Sequence, residues 1–163
     1  MRIKGKNYKT IWFDKNQSEV NIIDQTKLPH NFIIKKLCNF NDFLDAINNM
    51  EVRGAPLIGA TAAYAIAASL KDDVSDESLQ KTYSQLIQTR PTAINLKWAA
   101  DKMIRTLRET APQDRYKVSL NLAEDICNDD ILCCKKIGEF GEIIIKKYLE
   151  KNKLDKINIL THC

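Results

Sequence analysis

Two short segments combine arginine, glycine and proline in a way that suits phosphate. Val52-Arg53-Gly54-Ala55-Pro56 leads into an uncharged helical stretch, with Pro56 at the first helical position, where a missing N–H costs nothing. Gly54 and Ala55 then leave backbone N–H groups free just ahead of the helix, where the dipole favours an anion, and Arg53 adds a fork of donors. The same residues also fit a turn in which the glycine serves backbone geometry and the arginine is solvated. Thr89-Arg90-Pro91-Thr92 has the same grammar, an arginine immediately before a proline-initiated helix start. If the two helices are neighbours, Arg53 and Arg90 grip one phosphorylated ligand from two sides; alone, the second segment reads as a helix junction with an exposed arginine. A third candidate is Cys163, which follows Thr161 and His162 at the end of an apolar run. In open α/β sheets ligands lie beyond the carboxyl ends of strands, so a thiol there is placed for function when more protein follows, and frays when it does not. Glu142, Asp125 and Asp129 read as solvated helical carboxylates.

The elements that must position these residues can be read from periodicity. Ile11 and Phe13, then Val20 and Ile22, alternate like strands around the polar turn Asp14-Lys15-Asn16-Gln17-Ser18, which predicts a hairpin, and Phe32-Ile33-Ile34 predicts a third strand. From Asn39 the period becomes 3.6, with Phe40, Phe43, Leu44, Ile47 and Met50 on one face and Asn39 or Asn41 as cap. Residues 54–70 carry no charge but are rich in small residues, the pattern of a buried central helix rather than a membrane span. Ser75 caps a third helix that stops at Arg90-Pro91, and Thr92 caps a fourth with Leu96, Ala99, Ala100, Met103 and Leu107 as its apolar stripe. Pro112 interrupts the pattern, and two further helices are expected, over 115–127 and 129–151, with Cys133 and Cys134 buried as small hydrophobes. Ile157-Asn158-Ile159-Leu160-Thr161, after a long helix and a polar turn, reads as the first strand of a parallel βα unit whose ladder and crossover lie beyond Cys163.

Composition narrows the function classes. At 163 residues, with 44% hydrophobic and 28% charged, the chain has the make-up of a globular protein able to bury about 70% of its unfolded surface. Its net charge of +4 is spread along the chain without a basic, aromatic-interleaved stripe, which points away from nucleic acid. The N-terminus has no secretory apolar stretch and no window has the length of a membrane span, so no membrane role and a cytoplasmic location are expected. Five cysteines, two of them adjacent, make a poor disulfide framework and suit a reducing compartment. With only His30 and His162 and no Cys-x-x-Cys pair, the sequence points away from a structural zinc site.

Four segments in order, Ile22-Ile23-Asp24-Gln25-Thr26-Lys27-Leu28-Pro29, Met50 to Gly59, Thr89 to Leu96 and Ile159-Leu160-Thr161-His162-Cys163, resemble the methylthioribose-1-phosphate isomerase family. That family shares a superfamily with the regulatory subunits of eukaryotic translation initiation factor 2B. The Arg-Gly-Ala-Pro and Thr-Arg-Pro-Thr-Ala motifs favour the isomerase branch, a distinction the fold alone does not make. The resemblance implies conversion of 5-methylthioribose 1-phosphate to 5-methylthioribulose 1-phosphate in methionine salvage, with no metal and no organic cofactor. It further implies that Arg53, Gly54, Ala55 and Arg90 bind the substrate phosphate and sugar and that Cys163 is the catalytic cysteine. In the family an Asn-Ala-Gly and a whole Rossmann-like domain follow that cysteine and supply a catalytic aspartate and most of a homodimer interface. Phe140 stands where family members usually carry histidine.

The expected fold is therefore α+β: a β-strand region over 1–38 forming an antiparallel hairpin or small sheet, a helical bundle over 39–127, and over 128–163 the first helix and strand of a truncated Rossmann-like α/β domain. The expected function is the N-terminal part of an aldose–ketose isomerase acting on a phosphorylated pentose, completed by a separate C-terminal half. The family's homodimer is expected to be lost with that half. The rival is a catalytically inactive remnant, or a domain that binds a sugar phosphate or a partner without chemistry.

Overall fold

A computed structural model describes residues 2–161. Its sheet begins where the alternation places it. Strand β3 (Ile11–Asp14) pairs antiparallel with β4 (Glu19–Ile23), Ile11 opposite Ile22 and Asp14 opposite Glu19. The turn between them is held by the Asp14 carboxylate, which accepts from the backbone N–H groups of Asn16 (2.9 Å) and Gln17 (3.4 Å). The third strand, β5 (Ile34–Leu37), lies further along than the Phe32-Ile33-Ile34 run suggested. Its register is set by burial: Val20 faces Leu37 and Ile23 faces Ile34, so the buried Leu37 reaches the core while Phe32 packs edge-on against Tyr8. A two-residue ladder of β1 (Arg2–Ile3) with β2 (Lys6–Asn7), turning through Lys4 and Gly5 at positive φ, precedes this sheet and was not legible in the sequence.

Helices build the rest. In α1 (Phe40–Asn48) the Asn39 side chain accepts from the Asp42 N–H while the Asp42 carboxylate accepts from the Asn39 N–H, a reciprocal capping box, and Phe43, Ala46 and Ile47 are buried. Helix α2 (Ala55–Ser69) is buried nearly all round from Ile58 to Ala68, as its lack of charge predicts. Helix α3 (Asp76–Thr89) starts at the Ser75 cap and buries Leu79, Thr82 and Leu86. Helix α4 (Ile94–Arg108) is capped at Ala93 rather than Thr92, without any side-chain bond. The reason is the turn before it: the Ala93 N–H bonds the Arg90 carbonyl (2.9 Å), which places Pro91 and Thr92 in the bend. Helices α2 and α4 pack closely, and a Cβ added to Gly59 would fall 2.9 Å from the Asn95 carbonyl oxygen.

The chain divides into two compact units, residues 1–127 and 128–163. The hydrophobic core belongs to the first. There, buried Arg115 ties three segments together, donating to the carbonyls of Leu107 (2.9 Å), Thr110 (3.2 Å) and Val74 (2.6 Å) and to the Asp76 carboxylate (2.7 Å).

Three expectations for the C-terminal region are corrected. The two helices are one, α5 (Pro112–Asn152), because Asn128 and Asp129 are weak helix formers but neither glycine nor proline interrupts the turn. Cys133 and Cys134 are exposed rather than buried, since no described residue covers that stretch. Residues 156–161 form no strand, for lack among the described residues of a neighbour to complete a ladder. The α+β class holds, with five helices and two small antiparallel sheets among the described residues.

Candidate functional site

The two arginine segments meet. Arg53, Gly54 and Ala55 at the start of α2 and Arg90, Thr92 and Asn95 around the start of α4 line one cleft of about 500 Å³, whose apolar wall is Met50, Ile58, Ala93 and Ile94. The close α2–α4 contact at Gly59 is what brings the two helix starts together. Neither start has a side-chain cap, whereas α1 and α3 do. The first-turn N–H groups of α2 and α4 therefore remain available to an acceptor on the cleft side, with both helix dipoles adding positive potential.

Local backbone geometry explains the Arg53-Gly54 pair. Gly54 has φ +102° and ψ 126°, a conformation that side chains rarely adopt, and an added Cβ would meet no atom within 4 Å. Glycine is needed here for its backbone, not for room. The loop leading to it is fixed from behind: Val52 is fully buried, the Glu51 and Val52 N–H groups bond the Ala46 carbonyl (3.0 and 3.3 Å), and the Gln25 N–H bonds the Glu51 carbonyl (2.9 Å). The Glu51 carboxylate takes both of its oxygens to the Lys35 ammonium at 2.8 Å. The acid nearest Arg53 in sequence is thus occupied elsewhere. The Ile22–Pro29 segment contributes through this frame, Asp24 being buried and accepting from the Thr26 N–H (2.9 Å) and hydroxyl (2.6 Å).

On the other wall, the Thr89 hydroxyl donates to the Leu86 carbonyl (2.6 Å), closing α3, and Arg90 follows half-buried. Among the described residues neither Arg53 nor Arg90 has an acidic partner, so their combined charge faces the cleft uncompensated. Such an arrangement can bind a dianion. Among the described residues that line the cleft there is no carboxylate, thiol or imidazole. Cys163, the expected catalytic residue, lies outside the described residues.

Arg53, Gly54, Ala55 and Arg90 are thus brought together as one lining. Thr92, Asn95, Met50 and Ile94 join them without having been singled out, although all four lie within the motif segments, and their position in the first turns next to the arginines was the available signal. Among the described residues no group of three or more His, Cys, Asp or Glu side chains could hold a metal ion, and no helix is long and apolar enough to cross a membrane.

A second groove, of about 430 Å³, runs along α3 and α4. Its polar groups are largely spent on one another. The Tyr83 hydroxyl and Lys97 ammonium both donate to Asp101 (2.7 and 2.6 Å), and Arg108 donates to Gln80 (2.6 Å). Lys97 first, then Tyr83, holds the Asp101 carboxyl below the usual range, and the bond to Asp101 pushes the Tyr83 phenol up. This reads as a surface brace between two helices.

The Initiation factor 2 subunit family model matches residues 51–163, which contain both arginine segments. A methylthioribose-1-phosphate isomerase of Escherichia coli (strain S88) is 47% identical over all of this chain, covering 44% of the relative. Among solved structures, the 5-methylthioribose 1-phosphate isomerase of Pyrococcus horikoshii superposes with TM-score 0.68 at 30% identity, over 76% of this chain and 37% of that one. The delta subunit of translation initiation factor eIF-2B from A. fulgidus does so with TM-score 0.69 at 30% identity, over 77% and 38%. The chain spans less than half the length of the isomerases it matches.

Proposed function

The chain belongs to the initiation factor 2 subunit family, and we propose that within it this chain supplies the phosphate-gripping part of an aldose–ketose isomerase acting on a sugar 1-phosphate of the 5-methylthioribose type. The observation that carries the reading is the convergence of Arg53-Gly54-Ala55 and Arg90 on one cleft at two helix starts without side-chain caps.

Each residue then has a task. A phosphate on the anomeric oxygen keeps the sugar from opening as a free aldose does, so the protein must fix the phosphate while hydrogen moves between two adjacent carbons shielded from water. Arg53 and Arg90 neutralise the dianion from two sides, and the Gly54 and Ala55 N–H groups donate to its oxygens. The Asn95 amide and Thr92 hydroxyl, which also line the cleft, are assigned to the sugar hydroxyls. Cys163 is assigned to the reacting carbons, and the remaining acid–base group and the rest of the sugar pocket to the part of the isomerases that this chain does not match.

The test is titration of the chain with 5-methylthioribose 1-phosphate, ribose 1-phosphate and inorganic phosphate, followed by nuclear magnetic resonance or calorimetry. Both sugar phosphates are expected to bind, and Arg53→Ala and Arg90→Ala each to weaken them by roughly tenfold or more, the loss of a charge-assisted hydrogen bond. Binding unchanged in both variants refutes the cradle. A second reading is binding without catalysis, since the described residues that line the cleft include no carboxylate, thiol or imidazole. Supplying the complementary half and assaying ketose formation separates the two: turnover that depends on Arg53 supports the isomerase, and none in the presence of bound substrate supports the binder.

A further inference from the structure

The cleft keeps its positive charge only if the acid beside it is held away. Glu51 lies two positions before Arg53, and residues two apart have Cα atoms at most about 7 Å from each other, within the combined reach of a glutamate and an arginine side chain. Val52 between them is fully buried, which leaves Glu51 and Arg53 as the charged neighbours of this loop. The Glu51 carboxylate is nevertheless turned to Lys35, whose ammonium donates to both of its oxygens at 2.8 Å, and only 13% of the glutamate side chain is exposed. Lys35 stands against the alternation of its strand. On β5 it shares a face with the buried Leu37, while the exposed Ile34 and Lys36 take the other, so the pattern calls for an apolar residue where the lysine stands. The carboxylate it meets accounts for it. Asp24, the buried acid behind the same loop, is held instead by the neutral N–H and hydroxyl of Thr26.

We propose that Lys35 is a positioning residue for the phosphate cradle: by engaging both oxygens of Glu51 it keeps that carboxylate from Arg53 and leaves the guanidinium to a phosphate dianion. With the ammonium removed, Glu51 and the phosphate compete for one guanidinium. With the Glu51 charge removed, nothing competes. The two substitutions therefore have unequal consequences, whereas an ion pair that only braces the loop is damaged alike from either end. The effect on binding rests on the cradle of the proposed function; the contest of Lys35 and Arg53 for Glu51 does not.

The experiment compares wild type, Lys35→Met, Glu51→Gln, the two combined, and Lys35→Arg in two assays. One is titration with 5-methylthioribose 1-phosphate. The other is the rate at which phenylglyoxal modifies Arg53 without ligand, followed by peptide mass mapping; the reagent attacks the neutral guanidine, which a paired carboxylate disfavours. Lys35→Met is expected to weaken binding by about three- to tenfold, since Arg53 is shared rather than lost, and to slow Arg53 modification by about threefold. Glu51→Gln alone should leave both at the wild-type level, and added to Lys35→Met it should restore both. Lys35→Arg should keep both, because a guanidinium also spans two carboxylate oxygens. Lys35→Gln carries the same expectations as the methionine variant and replaces it should that variant fail to fold. Wild-type affinity and modification rate in the neutral Lys35 variant overturn the inference. So does a loss that Glu51→Gln does not restore, which is the behaviour of a brace. A wild-type chain that does not bind the sugar phosphate refutes the cradle, and the Arg53 modification rates then decide the hold on Glu51 by themselves.

Discussion

Gly59 is the most exacting point of contact behind the cleft, and Gly59→Ala tests the whole arrangement. The added Cβ would lie 2.9 Å from the Asn95 carbonyl oxygen, 3.4 Å from its carbon and 3.6 Å from the Ala99 Cβ. The nearest atom is backbone in the first turn of α4, so no side chain can swing away; relief requires α2 and α4 to part by about half an ångström. Overpacking of this kind costs about 1–3 kcal/mol, and alanine in place of a helical glycine returns about 0.8–1 kcal/mol, which leaves a net loss of about 0–2 kcal/mol. The larger consequence is functional, because the displaced turn carries Asn95 and the N–H groups that face the cleft opposite Arg53. Denaturant unfolding should show a lowered midpoint with an unchanged slope, and sugar-phosphate titration a weaker affinity. A variant stabilised by about 1 kcal/mol with undiminished affinity would show only helix propensity and would refute the close α2–α4 contact.

Three other perturbations probe separate parts of the structure. Gly54→Ala meets no steric obstacle but must hold φ near +102°, so it should cost about 1–3 kcal/mol, or relax the turn and weaken phosphate binding, read by the same unfolding and titration assays. Arg115→Met takes the guanidinium from the Thr110 and Val74 carbonyls, while the Leu107 carbonyl keeps the Glu109 and Thr110 N–H groups, and should destabilise the 1–127 unit by about 2–4 kcal/mol in denaturant unfolding; a loss below about 1 kcal/mol would show that water replaces the guanidinium. Because Asp101 is held below the ordinary carboxylate range, its contribution to stability is present above that range and fades as the pH falls through its folded value. Asp101→Asn should remove this acid-dependent increment, small for so exposed a group, and let Tyr83 ionise at lower pH in an ultraviolet titration.

The sequence was legible where local chemistry and burial agree. Asn39 and Ser75 cap because their side chains reach N–H groups three residues on, and residues 54–70 are a buried helix because no charge interrupts them. Thr92 misled because a good capping residue placed after proline can be absorbed by a turn, and the Arg90-to-Ala93 bond, not the threonine, decides where α4 begins. Arg115 was invisible because its four partners come from two other parts of the chain, 74–76 and 107–110, and nothing local distinguishes a buried arginine from a solvated one. Cys133 and Cys134 misled for the opposite reason: apolar periodicity announces a face to be covered and does not say whether the cover belongs to the same unit.

The cleft shows the same division between what pattern states and what only packing supplies. Each arginine segment taken alone is an ordinary helix junction, and its charge carries no instruction about a ligand. What turns the pair into a candidate site is Gly59, a residue with no chemistry, which lets α4 approach α2 closely enough for Arg53 and Arg90 to line one volume. The fold cannot choose between activities, since a sugar-phosphate isomerase and an initiation-factor subunit superpose on this chain almost equally, with TM-scores of 0.68 and 0.69. The choice falls to the lining. Among the described residues, two guanidiniums without an acidic partner and two helix starts without side-chain caps are what the proposed small dianion would need, whereas a surface serving only a protein partner has no need to leave such charge uncompensated around a cleft of about 500 Å³.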